Sequence, residues 1–157
     1  VREIPLIRQV QRGYLDSSKR IIREGTLATW QNEWNQSTTG RHTFGWIPSI
    51  EDRLGWTWLK PDHLMTQFLS AHGAFVSYLF RFGHSEVTTC PCGEDDDSPG
   101  HVVFDCTELE DERQALIRCV QEEHLVWPCQ VTHMLASERV YHGLRNFLTQ
   151  IQAKRDV

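Results

Sequence analysis

The sequence predicts a mainly α fold, a small helical domain with an irregular Trp-rich loop and an inserted Cys/His knuckle. Three observations predict it. Apolar residues recur at three- and four-residue spacing through much of the chain, which gathers them on one helical face. No stretch shows the sustained alternation of a half-buried strand. Three cysteines and a histidine crowd into residues 90–106. A chain of 157 residues suits one domain or two small lobes around a shared core. Six Trp, seven Phe and three Tyr supply the apolar area that ordering requires. No apolar run approaches the roughly 20 residues of a membrane span, and the first residues do not read as a signal peptide.

Each element has a local signal. Ile4, Leu6, Ile7, Val10 and Tyr14 predict a short helix over residues 4–14. Asp16, Ser17 and Ser18 offer N-caps for a second, longer helix to about Gln36. Its Leu27, Trp30 and Trp34 share a face, and Gly25 marks a point where it could break. Residues 37–60, rich in Ser, Thr, Gly, Pro and Trp, read as a Trp-pinned loop with room for a short hairpin. Pro61 suits the first turn of the next helix, with Asp62 at the positive end of its dipole and Leu64, Phe68 and Leu69 inward. His72-Gly73 breaks the chain before a helix over 74–82, whose Phe75, Tyr78, Leu79 and Phe82 face one way, and Gly83 ends it. Thr107-Glu108-Leu109-Glu110 matches a capping box opening a helix to about Glu123. Residues 130–136 predict a short helix after Pro128. Ser137 caps the last one, striped by Val140, Leu144, Phe147, Leu148 and Ile151. The chain thus divides into three: a helical, Trp-rich basic segment (1–60), a helical hairpin with the knuckle (90–106) and its following helix (61–125), and C-terminal helices on the same core (126–157).

The knuckle reads Cys90-Pro91-Cys92-Gly93, then His101-Val102-Val103-Phe104-Asp105-Cys106, or C-x-C-x8-H-x4-C. Three thiolates and an imidazole are what tetrahedral zinc takes, and a full set of four closes the ion to water and substrate. Gly93 lets the backbone reverse after the second thiolate. The predicted cofactor is therefore one structural Zn²⁺ held by Cys90, Cys92, His101 and Cys106. Five cysteines, an odd number, make a disulfide framework a poor alternative. Plain buried thiols beside a surface histidine are the bland alternative. A catalytic Cys–His pair lacks a group to orient the histidine. Cys119, among Leu116, Ile117 and Val120, reads as a small core residue. Residues 94–100 carry almost no apolar content, so an ion is expected to fold this loop and to dock the Thr107 helix against Phe82.

The net charge of -5 argues against a basic nucleic-acid coat protein, but it averages unlike segments. Residues 1–60 hold nine Lys/Arg against six Asp/Glu, including Arg8, Arg12 and Lys19, whereas residues 90–157 hold six against thirteen. Glu94, Asp95, Asp96 and Asp97 form one acidic run, read as a solvated excursion.

Several motifs occur together: Trp30-x3-Trp34, Thr39-Gly40-Arg41-x-Thr43, Ile47-Pro48, Gln67-Phe68-Leu69-Ser70-Ala71-His72-Gly73-x-Phe75 and Tyr78-Leu79-x-Arg81-Phe82-Gly83. The Cys90 to Cys106 knuckle and Glu112-Arg113 follow. In this order they resemble the C-terminal, post-reverse-transcriptase region of non-LTR retrotransposon polyproteins, of the insect type that inserts at specific sites. The likeness covers about residues 25–118 and is strongest over 67–106. It implies a zinc-knuckle module of a protein that also holds an endonuclease and a reverse transcriptase, engaging nucleic acid during target-primed reverse transcription in the nucleus. The implied partners are element RNA, target DNA and the adjacent polymerase, with no membrane and no small-molecule substrate. No polymerase or endonuclease carboxylate motif is recognisable, so the segment is expected to be non-catalytic.

Candidate nucleic-acid contacts are Arg20, Arg23, Arg41, Arg53, Lys60, His72 and Arg81, with Trp46, Trp56 and Trp58 as possible stacking platforms or, alternatively, core residues. The remaining histidines earn no role. The alternative function is a structural or protein-interaction module bracing the polymerase or recruiting a host factor. A ribonuclease H-like nuclease carries little weight, since the acids cluster in one loop and no alternating strands precede them.

Overall fold

A computed structural model describes residues 4–155, with side chains from Tyr14 onward. The side chains of Ile4, Leu6, Ile7, Arg8, Val10 and Arg12, singled out above, lie outside the described ones. Nine α-helices follow in order among the described residues: α1 Ile4–Gln36, α2 Arg41–Trp46, α3 Ile50–Gly55, α4 His63–Ser70, α5 Val76–Arg81, α6 Pro99–Phe104, α7 Glu110–Glu122, α8 His133–Ala136 and α9 Glu138–Arg155. Extended pairing among them is limited to an isolated bridge between Thr89 and Asp96.

Helix α1 is continuous where the sequence predicted two. Asp16, Ser17 and Ser18 sit inside it, and Gly25 passes without a break. A lone internal glycine costs a helix only about 1 kcal/mol, too little to break one this long. The Thr26 and Thr29 hydroxyls donate to the Ile22 and Gly25 carbonyls one turn back. The inward face is also shifted: Leu27, Gln31 and Trp34 are half-buried, whereas Trp30 is exposed. Gln31 donates to the Pro48 carbonyl and accepts from Ile50 N–H. Trp34 Nε1 donates to the Ile47 carbonyl. Side chains of α1 thus hold the segment that leads into α3.

Residues 37–60 form α2 and α3 instead of a hairpin. Ser49 caps α3 by accepting from Asp52 N–H. The tryptophans do pin this region, and from inside. Trp46 is 2% exposed and meets Phe68 edge-on with ring centroids 4.9 Å apart. Trp58 Nε1 donates to the Leu135 carbonyl, and Trp56 packs on the core. Trp46 is therefore no stacking platform, since burying so large a ring stabilises the fold by more than exposure to a base would offer, while Trp56 and Trp58 are half-buried.

Asp62, not Pro61, begins the next helix. Its carboxylate accepts from Met65 N–H, and Pro61 lies before the cap. Ala71 and Gly73 turn the chain in the left-handed region at φ 56° and 84°. A Cβ at Gly73 would also come within 2.4 Å of the Gln67 side chain. Both constraints fix the break predicted there. Helix α5 is shorter than expected. Phe75 is buried, but Phe82 points outward at 56% exposure.

Helix α9 is the keel. Val140, Leu144, Phe147, Leu148 and Ile151 are all buried, as their spacing predicts, and Tyr141 joins them. Each such side chain stabilises the fold by about 2 kcal/mol. Helices α4, α7 and α8 all lie against α9. One buried cluster runs from Trp46 through Met65, Val103 and Leu116 to Ile151, so segments of all three sequence divisions share it. Helices α7 and α9 cross closely at Gly143, where an added Cβ would sit 2.9 Å from Cys119 Sγ. Cys119 is thus a small packing residue.

That crossing yields a test. Gly143→Ala is expected to destabilise the fold by about 1–3 kcal/mol through overpacking. Adding Cys119→Ala removes the clashing sulfur and recovers part of the loss, read as coupling in a urea-denaturation double-mutant cycle.

Candidate metal centre

The knuckle is built from the loop after α5 and from α6. Cys90 N–H donates to the Asp95 carbonyl and Gly93 N–H to the Cys90 carbonyl. Gly93, at φ 80°, makes the reversal that turns both loop sulfurs one way. Ser98 then caps α6 by accepting from His101 N–H, with Pro99 in the first turn. The sequence reading missed this helix because only six residues form it, too few for a periodic signal. Cys106 N–H donates to the His101 carbonyl as the helix ends, which brings the last thiol beside the imidazole.

Cys90, Cys92, His101 and Cys106 converge, their donor atoms all within 4.8 Å of one another. Cys90 Sγ and Cys106 Sγ are 3.7 Å apart, and Cys92 Sγ lies 3.2 Å from His101 Nε2. The first spacing is far beyond the roughly 2.05 Å of a disulfide. It matches the edge of about 3.8 Å that two sulfurs share on a tetrahedron with metal–sulfur bonds near 2.3 Å. Cys90, His101 and Cys106 are buried and Cys92 is half-buried. His101 Nδ1 is buried on the far side without a hydrogen-bond partner. These four residues fit a metal ion.

The protonation chemistry of the site runs in two directions. Burial pushes the Cys90 thiol up to about 12 and raises Cys106 as well. The Glu94 N–H, donating to the sulfur, lowers Cys92 to about 7. Neighbouring buried thiols resist sharing negative charge, and a bound cation reverses that by deprotonating its ligands.

Two further residues lock the knuckle, and the sequence reading missed both roles. Arg113 of α7 is only 6% exposed. Its Nε donates to the Val103 carbonyl at 2.7 Å, and its Nη2 to those of Cys106 and Val102 at 2.6 and 3.3 Å. Those of Val102 and Val103 are orphan acceptors in the last turn of α6, and that of Cys106, just beyond it, also accepts from Leu109 N–H. Asp97 is 0% exposed, so the acidic run is not wholly solvated. Its carboxylate pairs with Arg155 of α9 and accepts from Val76 N–H, while its carbonyl accepts from Ser77 Oγ. Glu94, Asp95 and Asp96 are exposed, as predicted. Thr107 opens a 3-10 turn, not a capping box, and its hydroxyl donates to Glu94. The helix that follows, α7, docks on α9. A periodic pattern shows neither lock, because each depends on partners distant in sequence.

The other candidate residues are dispersed. Arg20, Arg23 and Lys60 are exposed, and Arg20 lies 3.9 Å from Glu24. Arg41 Nη1 donates to the Trp34 and Ser37 carbonyls, closing the end of α1, and its guanidinium sits 3.7 Å over the Phe44 ring. Arg53 is half-buried, donating to the Leu59 carbonyl. His72 and Arg81 are exposed on either side of Tyr78. His42 accepts from Trp46 Nε1, and burial, reinforced by the nearby His72 charge, lowers its pKa.

Comparison with known proteins points one way. The chain is 34% identical over 93 residues to the Retrovirus-related Pol polyprotein from type-1 retrotransposable element R1 of Popillia japonica, covering 59% of this chain and 36% of that protein. It is 30% identical over 95 residues to the R1 polyprotein of Bradysia coprophila, covering 60% of this chain and 10% of that protein. It is 25% identical over 142 residues to the R1 2 polyprotein of Nasonia vitripennis, covering 88% of this chain and 33% of that protein. The chain therefore spans about a third of the first and last of these relatives and a tenth of the second. No family model and no solved structure matches it. The likeness to retrotransposon polyproteins read from the motifs holds.

Arg113→Leu is expected to cost about 3 kcal/mol, because it keeps an apolar stem but strands buried carbonyls. Arg113→Lys recovers little, since a single ammonium cannot reproduce the guanidinium fork. Urea denaturation of the two variants checks this.

Proposed function

We propose that this chain is the zinc-knuckle module C-terminal to the reverse transcriptase in a non-LTR retrotransposon polyprotein, and that it binds element RNA, target DNA or their hybrid during target-primed reverse transcription. The observation that carries the reading is the converged Cys90, Cys92, His101 and Cys106 set in a chain similar to R1 Pol polyproteins. Zinc is the ion that three thiolates and one imidazole favour. Four protein ligands leave no open position, so the ion is structural and contributes several kcal/mol of folding free energy.

In this reading the module itself is non-catalytic, acts in the nucleus, and works beside the adjacent polymerase. The three sequence divisions share the labour: the basic segment 1–60 approaches phosphates, residues 61–125 present the knuckle, and residues 126–157 supply the support. Exposed Arg20, Arg23, Lys60, His72 and Arg81 are the side chains best placed to meet phosphates, while Arg41 and Arg53 are partly committed to backbone carbonyls. A second reading, docking to protein, is favoured by one feature: Tyr14, Leu15, Ile21 and Ile22 of α1 are all exposed. Such an apolar cluster is more usual at protein interfaces than on free surface.

Metal analysis of the folded protein is expected to find one zinc per chain, falling toward zero in Cys106→Ser. A stoichiometry near zero in wild type overturns the cofactor assignment. A salt series tests the rest. Affinity for nucleic acid should fall steeply with salt, and Arg81→Gln should reduce the log–log slope by about 0.7 to 0.9 for each phosphate that the variant leaves unneutralised. Absence of binding at low salt, with retained capture of the polymerase portion, selects the protein-docking reading.

A further inference from the structure

The turn after α4, the short helix α5 and its C-cap Phe82 carry a row of aromatic rings whose two ends lie outside the core. The His72 ring lies 4.7 Å from the Tyr78 ring, and Tyr78 lies 4.9 Å from Phe82, centroid to centroid. Tyr78 is half-buried against the core and anchors the row, whereas His72 is exposed at one end and Phe82 is 56% exposed at the other. Arg81 stands 5.8 Å from the Tyr78 ring. Isolated exposed apolar side chains are ordinary; a contiguous set interleaved with cations is not.

The charge around this ladder favours a polyanion. Residues 71–89 contain Arg81, His72 and His84 against one acid, Glu86. Arg81 forms no ion pair among the described residues and offers its guanidinium to a phosphate beside the rings. The ladder is also held firmly. Ala71 and Gly73 fix the turn on one side, and the buried Asp97 holds Val76 N–H and Ser77 Oγ at the start of α5. Rigid support lowers the ordering cost of binding.

We propose that His72, Tyr78, Phe82 and Arg81 form a stacking platform for unpaired bases, making this face a binding site for single-stranded nucleic acid. The assignment rests on the nucleic-acid reading above and sharpens it. Aromatic rings take the faces of splayed bases, and the cation takes the phosphate between them. A duplex keeps its base faces inside the stack and gains only the interaction with phosphate. Of the candidate tryptophans, Trp46 is buried and offers no ring face to a base, and Trp56 and Trp58 are packed in part on the core.

The test compares probes of equal charge on the full chain. Oligothymidine and oligouridine about ten nucleotides long are titrated beside an abasic strand of the same length, by fluorescence anisotropy. Wild type is expected to prefer the base-bearing strands by about tenfold or more. Phe82→Ala is expected to bring the preference close to unity, with Tyr78→Leu doing the same if thermal unfolding shows it folded. Val126→Ser, at an exposed apolar site outside the ladder, keeps the wild-type preference. Measurable binding with no preference for bases, or a preference that survives Phe82→Ala, overturns the platform and leaves the wider reading standing. No binding to any strand overturns that reading as well.

Discussion

The knuckle and the helical core meet through one buried guanidinium. Arg113 leaves α7 and forks onto the carbonyls of Val102, Val103 and Cys106. Without it, α6 would end in unsatisfied acceptors inside the protein, each costly once removed from water. With it, the last thiol of the ligand set is tied by its own carbonyl to a helix that packs along α9. A buried charge is not stabilising in itself, since its desolvation offsets much of the gain. Its effect here is to make one arrangement of α6 against α7 far better than its neighbours.

Asp97 works from the other side. Its carboxylate joins Arg155 at the end of α9 to the first turn of α5, and its carbonyl takes the Ser77 hydroxyl. The loop between Cys92 and His101 is therefore fastened at its middle, not left to a metal ion alone. Helix α9 is the common support: its stripe organises the core, and its C-terminal turn reaches the knuckle. The same Asp97 hydrogen bonds also steady the base of the exposed aromatic row, so the metal centre and the aromatic surface share one scaffold.

Much of this was legible in the residues. The C-x-C-x8-H-x4-C spacing named the donor set that converges, and the Val140 to Ile151 stripe named the buried face of α9. Ser137 and the His72-Gly73 break also stand where local chemistry puts them. Errors arose where local signals compete. Asp16 to Ser18 look like a cap, yet they lie inside α1 because an unbroken helix leaves fewer backbone groups unpaired. Thr107 resembles half of a capping box, but Glu94 across the loop takes its hydroxyl.

Periodicity, ligand chemistry and the turns that demand a positive φ were readable directly from the residues, because each is a property of positions a few places apart. Packing alone chose which polar groups become buried and which rings stay outside. Asp97 looked like one of four solvated acids until a partner 58 residues away covered it. Trp46, Trp56 and Trp58 read as platforms or as core until packing set them on the core, and Phe82 shared a predicted face with Phe75 until α5 ended at Arg81 and left its ring outside. One cause underlies all of these. Burial depends on the elements that pack over a residue, and a single segment does not encode its neighbours.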